Sequence, residues 1–316
     1  MSADAGQRRA KGAWRDWLGL LRPSQWTKNG IVLAAYFFAR WDPGQSAHAL
    51  GRQPLLISLL AMADFCLLAI GVYILNDVLD READARHPEK RLRPIAAGKI
   101  APSAALLLAA ALLAASVAAA WLLHPNFGWV VAAYLLLQVG YSCKLKQVAI
   151  LDVFMIAIGF VLRAIGGAAV IGVRISPWLL LCAFLLALFL ALCKRRHEKR
   201  LLVGGEIHHR KALAGYSEAL LDQLIAIVAA STVIAYALYT LNAETVARFG
   251  TTGLGFTIPF VMFGIFRYLD LVYNGEAGGR PERILLTDRI LIGTIFLYLL
   301  AAAAVFLLAR HATACN

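Results

Sequence analysis

Asn76, Asp77, Asp80 and Asp84 place one carboxamide and three carboxylates at three- and four-residue spacing, where a long apolar run ends. On a helix such positions share one face, and clustered oxygen donors suit a hard divalent cation, Mg2+ foremost. Lys90, Arg91 and Arg93 follow at once, and cations of that kind attract phosphate oxygens. Acids, metal and bases together describe a site for a diphosphate at a membrane surface. Asn76, Asp77, Asp80 and Asp84 are its expected metal ligands, and the three aspartates its expected catalytic groups.

Other charged residues stand at span ends or inside spans. Arg163 sits near the middle of the apolar stretch Ala149–Val173, where an unpaired charge costs about 3 kcal/mol on insertion scales. Asp152 lies eleven residues earlier and returns to nearly the same helical face. Both should point into a bundle, either as an ion pair or, as intramembrane charges favour, lining a polar cavity; Asp152 joins the expected catalytic set there. Gly159, Gly166 and Gly167 beside them allow close helix packing. A second polar stretch runs Lys194, Arg195, Arg196, His197, Glu198, Lys199, Arg200 and on to His208, His209 and Lys211. Lys194, Arg195 and Arg196 stand at the membrane boundary and are expected to bind phosphate; Lys199 to Lys211, with the paired histidines, reads as a solvated loop. Lys28, Asn29, Tyr141, Lys144 and Lys146 complete the expected substrate-binding set. Asp64 is intramembrane too, but falls opposite the Asp77–Asp84 face and is left out.

The elements that must position these residues are membrane helices. The chain has 316 residues, 60% of them hydrophobic and 16% charged, in apolar blocks long enough to cross a bilayer. Nine spans are expected, at Asn29–Trp41, Pro54–Asn76, Ala101–Leu123, Phe127–Tyr141, Ala149–Val173, Pro177–Cys193, Ala219–Leu241, Gly253–Tyr273 and Ile284–Arg310, the first and fourth being short. Residues 1–25 form a separate N-terminal segment, with Ala13–Leu21 as an amphipathic helix in the interface; residues 26–316 form the all-α, polytopic domain. With nine spans the lysines and arginines fall overwhelmingly on one side, which the positive-inside rule makes cytoplasmic. The net charge of +12 therefore belongs to one membrane face and its anionic lipids, not to nucleic acid. The five cysteines show no metal spacing and read as reduced, structural thiols. No secretory signal is evident. A homo-oligomer is compatible with all of this.

The motif NDxxDxxxD at Asn76–Asp84, the downstream Arg93–Pro94 with Gly98, and the nine-span layout together resemble the UbiA-type superfamily of intramembrane prenyltransferases. The resemblance covers nearly the whole chain. It implies a helical bundle with a cytoplasm-facing polar cavity, Mg2+, and a diphosphate substrate. The second motif departs from the pattern: where aromatic prenyltransferases of the superfamily carry another DxxxD segment, this chain reads KRRHEKRLLVGGEIHHRK, without paired aspartates. RPSQWTKN at Arg22–Asn29, YSCKLKQVAILD at Tyr141–Asp152, GFVLRAIGGA at Gly159–Ala168 and FRYL at Phe266–Leu269 are similar to one branch, whose members move phosphoribose onto decaprenyl phosphate. That branch implies 5-phosphoribosyl 1-diphosphate as donor and a polyprenyl phosphate as acceptor, for cell-wall arabinan precursors in a bacterial inner membrane. The alternative enzyme is a Mg2+-dependent prenyltransferase acting on a prenyl diphosphate and an aromatic acceptor. A transporter is the alternative of another class, but its polar groups should reach both faces, whereas here they crowd one.

Overall fold

The structure is a computed structural model describing residues 14, 16–42, 44–45, 52–86, 90–203, 211–274, 284–285 and 287–314. Among these residues it is helical throughout, without strands. A 3-10 helix, Pro23–Leu33, runs into α1 (Ala34–Trp41). Then come α2 (Arg52–Leu79), the short α3 (Arg81–Ala85), α4 (Pro102–Leu123), α5 (Pro125–Cys143), α6 (Leu151–Ile171) and α7 (Pro177–Val203). The last third holds α8 (Lys211–Ala214), α9 (Glu218–Leu241), α10 (Ala243–Phe249), α11 (Ile258–Tyr273) and α12 (Arg289–Ala314). Seven segments, in α2, α4, α6, α7, α9, Gly253–Tyr273 and α12, are long and apolar enough to cross a membrane, and the chain is an integral membrane protein. The expected first span is the 3-10 helix and the eight-residue α1 in tandem; the expected fourth is the 19-residue α5.

Helix starts follow the local chemistry. Proline opens α4 and α5, where a missing N–H costs nothing. The side chains of His124, Ser217 and Asn242 each accept a backbone N–H at the first turns of α5, α9 and α10. Consecutive helices pack as neighbours from α4 through α7, α7 packs against α9, and α2 lies against α4 and α6. The circuit closes at the end far from Asp77, where Trp41 stacks on Phe306 and Phe249 joins them.

Lipid tails offer no hydrophobic drive between helices, so small residues let backbones approach. Gly167 shows this most sharply: a Cβ there would sit 2.0 Å from the Val32 carbonyl oxygen. The 3-10 helix is thus pressed backbone-to-backbone onto α6. Gly166 likewise admits the Phe65 ring, whose methyl-sized alternative would meet it at 2.8 Å. In the N-terminal segment, residues 16–21 are helical and Leu20 is buried beside Ile74 and Ile95. Trp14 and Trp17 stay exposed on it. Cys66, Cys143, Cys182 and Cys193 are free thiols, as expected; Cys315 and the His208–His209 pair lie outside the described residues.

Candidate active site

The acidic motif occupies the α2–α3 junction. It is not one uninterrupted helix, as its spacing predicts: α2 ends at Leu79, and Asp80 sits at a turn with φ −93° and ψ 6°. The hydrogen-bond register nevertheless carries through, since Asp80 N–H reaches the Asn76 carbonyl and Asp84 N–H the Asp80 carbonyl, both at 2.8 Å. The bend alters the direction of Asp84 without losing the shared face.

Each carboxylate already has a cation. Arg22 grips both oxygens of Asp77, at 2.6 and 2.5 Å. One guanidinium nitrogen of Arg93 lies 2.9 Å from Asp77 and 2.6 Å from Asp84. Lys146, from the connection between α5 and α6, reaches both oxygens of Asp80 at 2.7 and 2.9 Å. Arg22 also lies over the Tyr73 ring. It was not among the expected site residues, because its partner lies 55 residues away in the sequence. Its left-handed backbone, φ 45° and ψ 60°, is the local device that turns it back toward Asp77.

These residues fit a hard divalent cation by donor chemistry: three carboxylates, and Asn76, whose Oδ1 is buried with no hydrogen-bond partner. Among the described residues no three acidic or imidazole or thiol groups converge on one point. Arg93, wedged between Asp77 and Asp84, shows why: these two acids already share a positive charge.

The buried charges Asp152 and Arg163 are both interior, as their spacing predicts, at 0% and 5% exposure. They do not pair with one another; each is taken up by partners on other elements. Arg163 donates to Asn29 Oδ1 at 2.7 Å, to the Tyr134 hydroxyl at 2.6 Å and to its own helix at Gly159. It thereby pins the 3-10 helix that follows Arg22 and carries Lys28. Asp152 accepts from Arg195 at 2.6 Å and from the Tyr216 hydroxyl at 2.7 Å. Arg195 is buried too and spends a second nitrogen on Glu198. Burial, seconded by the Asp152 hydrogen bond, pushes the Tyr216 phenol above its ordinary range, so it is a donor at neutral pH.

The remaining expected residues divide. Arg196 stacks on Tyr273 and pairs with Asp222 at 2.5 Å, and Tyr273 donates to the same carboxylate. Lys28 reaches Gln25. Tyr141, Lys90 and Lys194 are half-buried; Arg91 and Lys144 are exposed. Asp64, set aside by its face, is buried where Ser116 of α4 meets its backbone carbonyl. Neither Tyr216 nor Asp222 was expected at the site, since each becomes a partner only through folding.

The sequence profile of the UbiA prenyltransferase family matches residues 31–200. Decaprenyl-phosphate phosphoribosyltransferase of Mycolicibacterium smegmatis is 34% identical over 298 residues, 87% of this chain and 89% of that protein. The Corynebacterium glutamicum protein of the same name is 35% identical over 276 residues, covering 86% and 80%. In three dimensions the chain is similar to a UbiA homolog from Archaeoglobus fulgidus solved with DMAPP and Mg2+, with TM-score 0.68 and 20% identity over 92% of this chain and 99% of that one.

Proposed function

The chain belongs to the UbiA prenyltransferase family, and from that premise we propose that it transfers 5-phosphoribose from 5-phosphoribosyl 1-diphosphate to a polyprenyl phosphate, releasing diphosphate. The observation that carries this reading is identity of about a third, across nearly full length, to two decaprenyl-phosphate phosphoribosyltransferases. The site is consistent with it. Arg22, Arg93 and Lys146 stand beside Asp77, Asp80 and Asp84, so acids for a metal and cations for phosphate oxygens are interleaved in one place.

Asp77, Asp80, Asp84 and Asn76 would hold Mg2+, which when bound neutralises the departing diphosphate. The chain's own groups do the rest. The acceptor phosphate monoester is largely ionised near neutral pH, so no general base is needed to make it a nucleophile. Arg22, Arg93 and Lys146 screen the repulsion between two anions as they approach. Lys90, Arg91, Lys144 and Lys194, at the same end, extend that positive field to the donor's 5-phosphate and to the acceptor. The ribosyl centre passes through an oxocarbenium-like state, as in glycoside transfer, and inversion at the anomeric carbon is the expected outcome of a single displacement. Asp152 and Arg195 hold the scaffold behind the site, and Arg163 with Asn29 holds the 3-10 helix in front of it. The lysine and arginine distribution supports an inner-membrane enzyme with its site on the cytoplasmic face.

The competing reading is prenyl transfer to an aromatic acceptor. What favours the phosphoribosyl reading is the end of α7, where bases stand in place of paired aspartates and Glu198 is taken up by Arg195. Purified protein given labelled phosphoribosyl diphosphate and a polyprenyl phosphate should form a lipid-extractable phosphoribosyl phosphodiester, identified by mass. Formation of prenylated product from a prenyl diphosphate, with the phosphoribosyl donor untouched, would overturn the assignment.

A further inference from the structure

The connection between α5 and α6 ties the two ionic clusters together. Lys146 on it reaches Asp80 on one side. Ile150, a few residues on, has φ 71° and ψ −50°, a conformation that sterics disfavour for a β-branched side chain. Ile150 is 43% exposed, so apolar packing is not what holds it there. A hydrogen bond does: the Ile150 N–H donates to the Tyr216 hydroxyl at 2.6 Å. The same hydroxyl donates to Asp152 at 2.7 Å, whose other oxygen is fixed by the buried Arg195. Gly215 lets the Tyr216 segment come this near, since a Cβ there would lie 2.9 Å from that of Ala149.

We infer that Tyr216 is a positioning residue: its hydroxyl holds Ile150 in this strained, positive-φ conformation and thereby sets Lys146 against Asp80. The chain of contacts runs from a sealed ion pair, through one phenol and one strained backbone, to a lysine of the acidic site. The consequence for turnover rests on the proposed function; the positioning itself does not.

The test reads Lys146 directly. Full-length protein in detergent is treated with an amine-acylating reagent, and modification of Lys146 is measured by mass spectrometry against the exposed Lys99 in the same sample. In Tyr216→Phe, Lys146 labelling should rise about five- to tenfold, the scale of one lost hydrogen-bonded restraint. Adding Ile150→Gly should bring it back toward wild type, because glycine adopts positive φ freely. The donor KM should follow the labelling up and down while kcat stays nearly level. Should Tyr216→Phe fail to fold, Ile150→Pro serves instead: it fixes φ near −65° and removes the N–H, and must raise labelling with the Tyr216–Asp152 bond intact. Unchanged Lys146 reactivity in the folded variant overturns the inference, and so does raised reactivity that Ile150→Gly leaves in place. If labelling responds as expected but wild type makes no phosphoribosyl lipid, the positioning claim stands and the functional reading falls.

Discussion

Around Asp77 and Asp84 the acids are sheltered, at 5% and 7% side-chain exposure, while their cations reach toward solvent, Arg22 at 23% and Arg93 at 32%. Around Asp152 both partners are sealed, the acid at 0% and Arg195 at 2%. The two clusters use the same chemical groups at nearly the same distances, so geometry alone does not separate them. Solvent access does. A pair whose cation reaches solvent is held less firmly, tending toward the surface value of about 0–1 kcal/mol as exposure grows, and its cation can turn to a new anion. Breaking a buried pair by removing one partner costs about 3–5 kcal/mol, so that pair does not exchange during a reaction cycle. On the proposed function, the first cluster would trade partners for ligand while the second stays shut.

That contrast breaks most visibly at Asp77. Asp77→Asn should leave folding nearly intact, since Arg22 and Arg93 keep solvent contact, yet cut kcat/KM for phosphoribosyl transfer about 10²- to 10³-fold, the loss typical of one preorganised electrostatic group. Steady-state kinetics across a Mg2+ titration check this; retained activity with the same Mg2+ dependence would mean the acids are scaffold after all. Asp152→Asn should do the reverse. It strands the buried Arg195 with less compensating charge, so the melting temperature in detergent should fall by the equivalent of about 3 kcal/mol. The surviving folded fraction should bind donor with near-normal affinity.

These two predictions also mark how far the sequence can be read. The acids of the motif were legible by spacing, and Asp152 and Arg163 by the cost of charge inside an apolar run. Seven of the expected spans reappear as helices able to cross a membrane. Partnership was not legible. Eleven residues of separation put Asp152 and Arg163 on one face, correctly, but each found its partner on another helix: Asp152 on α7, and Arg163 on the 3-10 helix, 134 residues away. Periodicity reports which way a side chain points and is silent on what the next helix brings to meet it. Arg22 was missed for the same reason, its partner Asp77 being 55 residues off. The bend at Asp80 was hidden because the three- and four-residue spacing of the motif fits an unbroken helix.

Gly167 sharpens the comparison from the side of the scaffold. A methyl group there meets the Val32 carbonyl at 2.0 Å, and backbone cannot step aside as a side chain can. Gly167→Ala should push the 3-10 helix off α6, costing about 1–3 kcal/mol of stability as overpacking does. Because that helix begins beside Arg22, the donor KM should rise together with the loss in melting temperature. A stability loss with unaltered KM would show that the 3-10 helix and the acidic site are independent.

The smallest effect tests the exchangeable character of the first cluster most directly. Arg22→Ala removes a cation that stands on Asp77 with a quarter of its side chain exposed. If Arg22 merely neutralises Asp77, its loss should tighten Mg2+ binding, because the acid is freed, and leave the donor KM alone. If it passes from Asp77 to the diphosphate, the donor KM should rise about tenfold, one charge-assisted hydrogen bond being worth roughly 1.5 kcal/mol, with melting temperature unchanged. The left-handed backbone at Arg22 argues for the second outcome. Strain of that kind persists where the surrounding structure holds it for a purpose, and neutralising Asp77 needs no second cation while Arg93 already touches it. Raising the salt concentration should weaken donor binding in wild type more than in Arg22→Ala, since a solvent-facing charge is what ions screen. Equal salt dependence in the two proteins would return Arg22 to the scaffold and erase the distinction between the clusters.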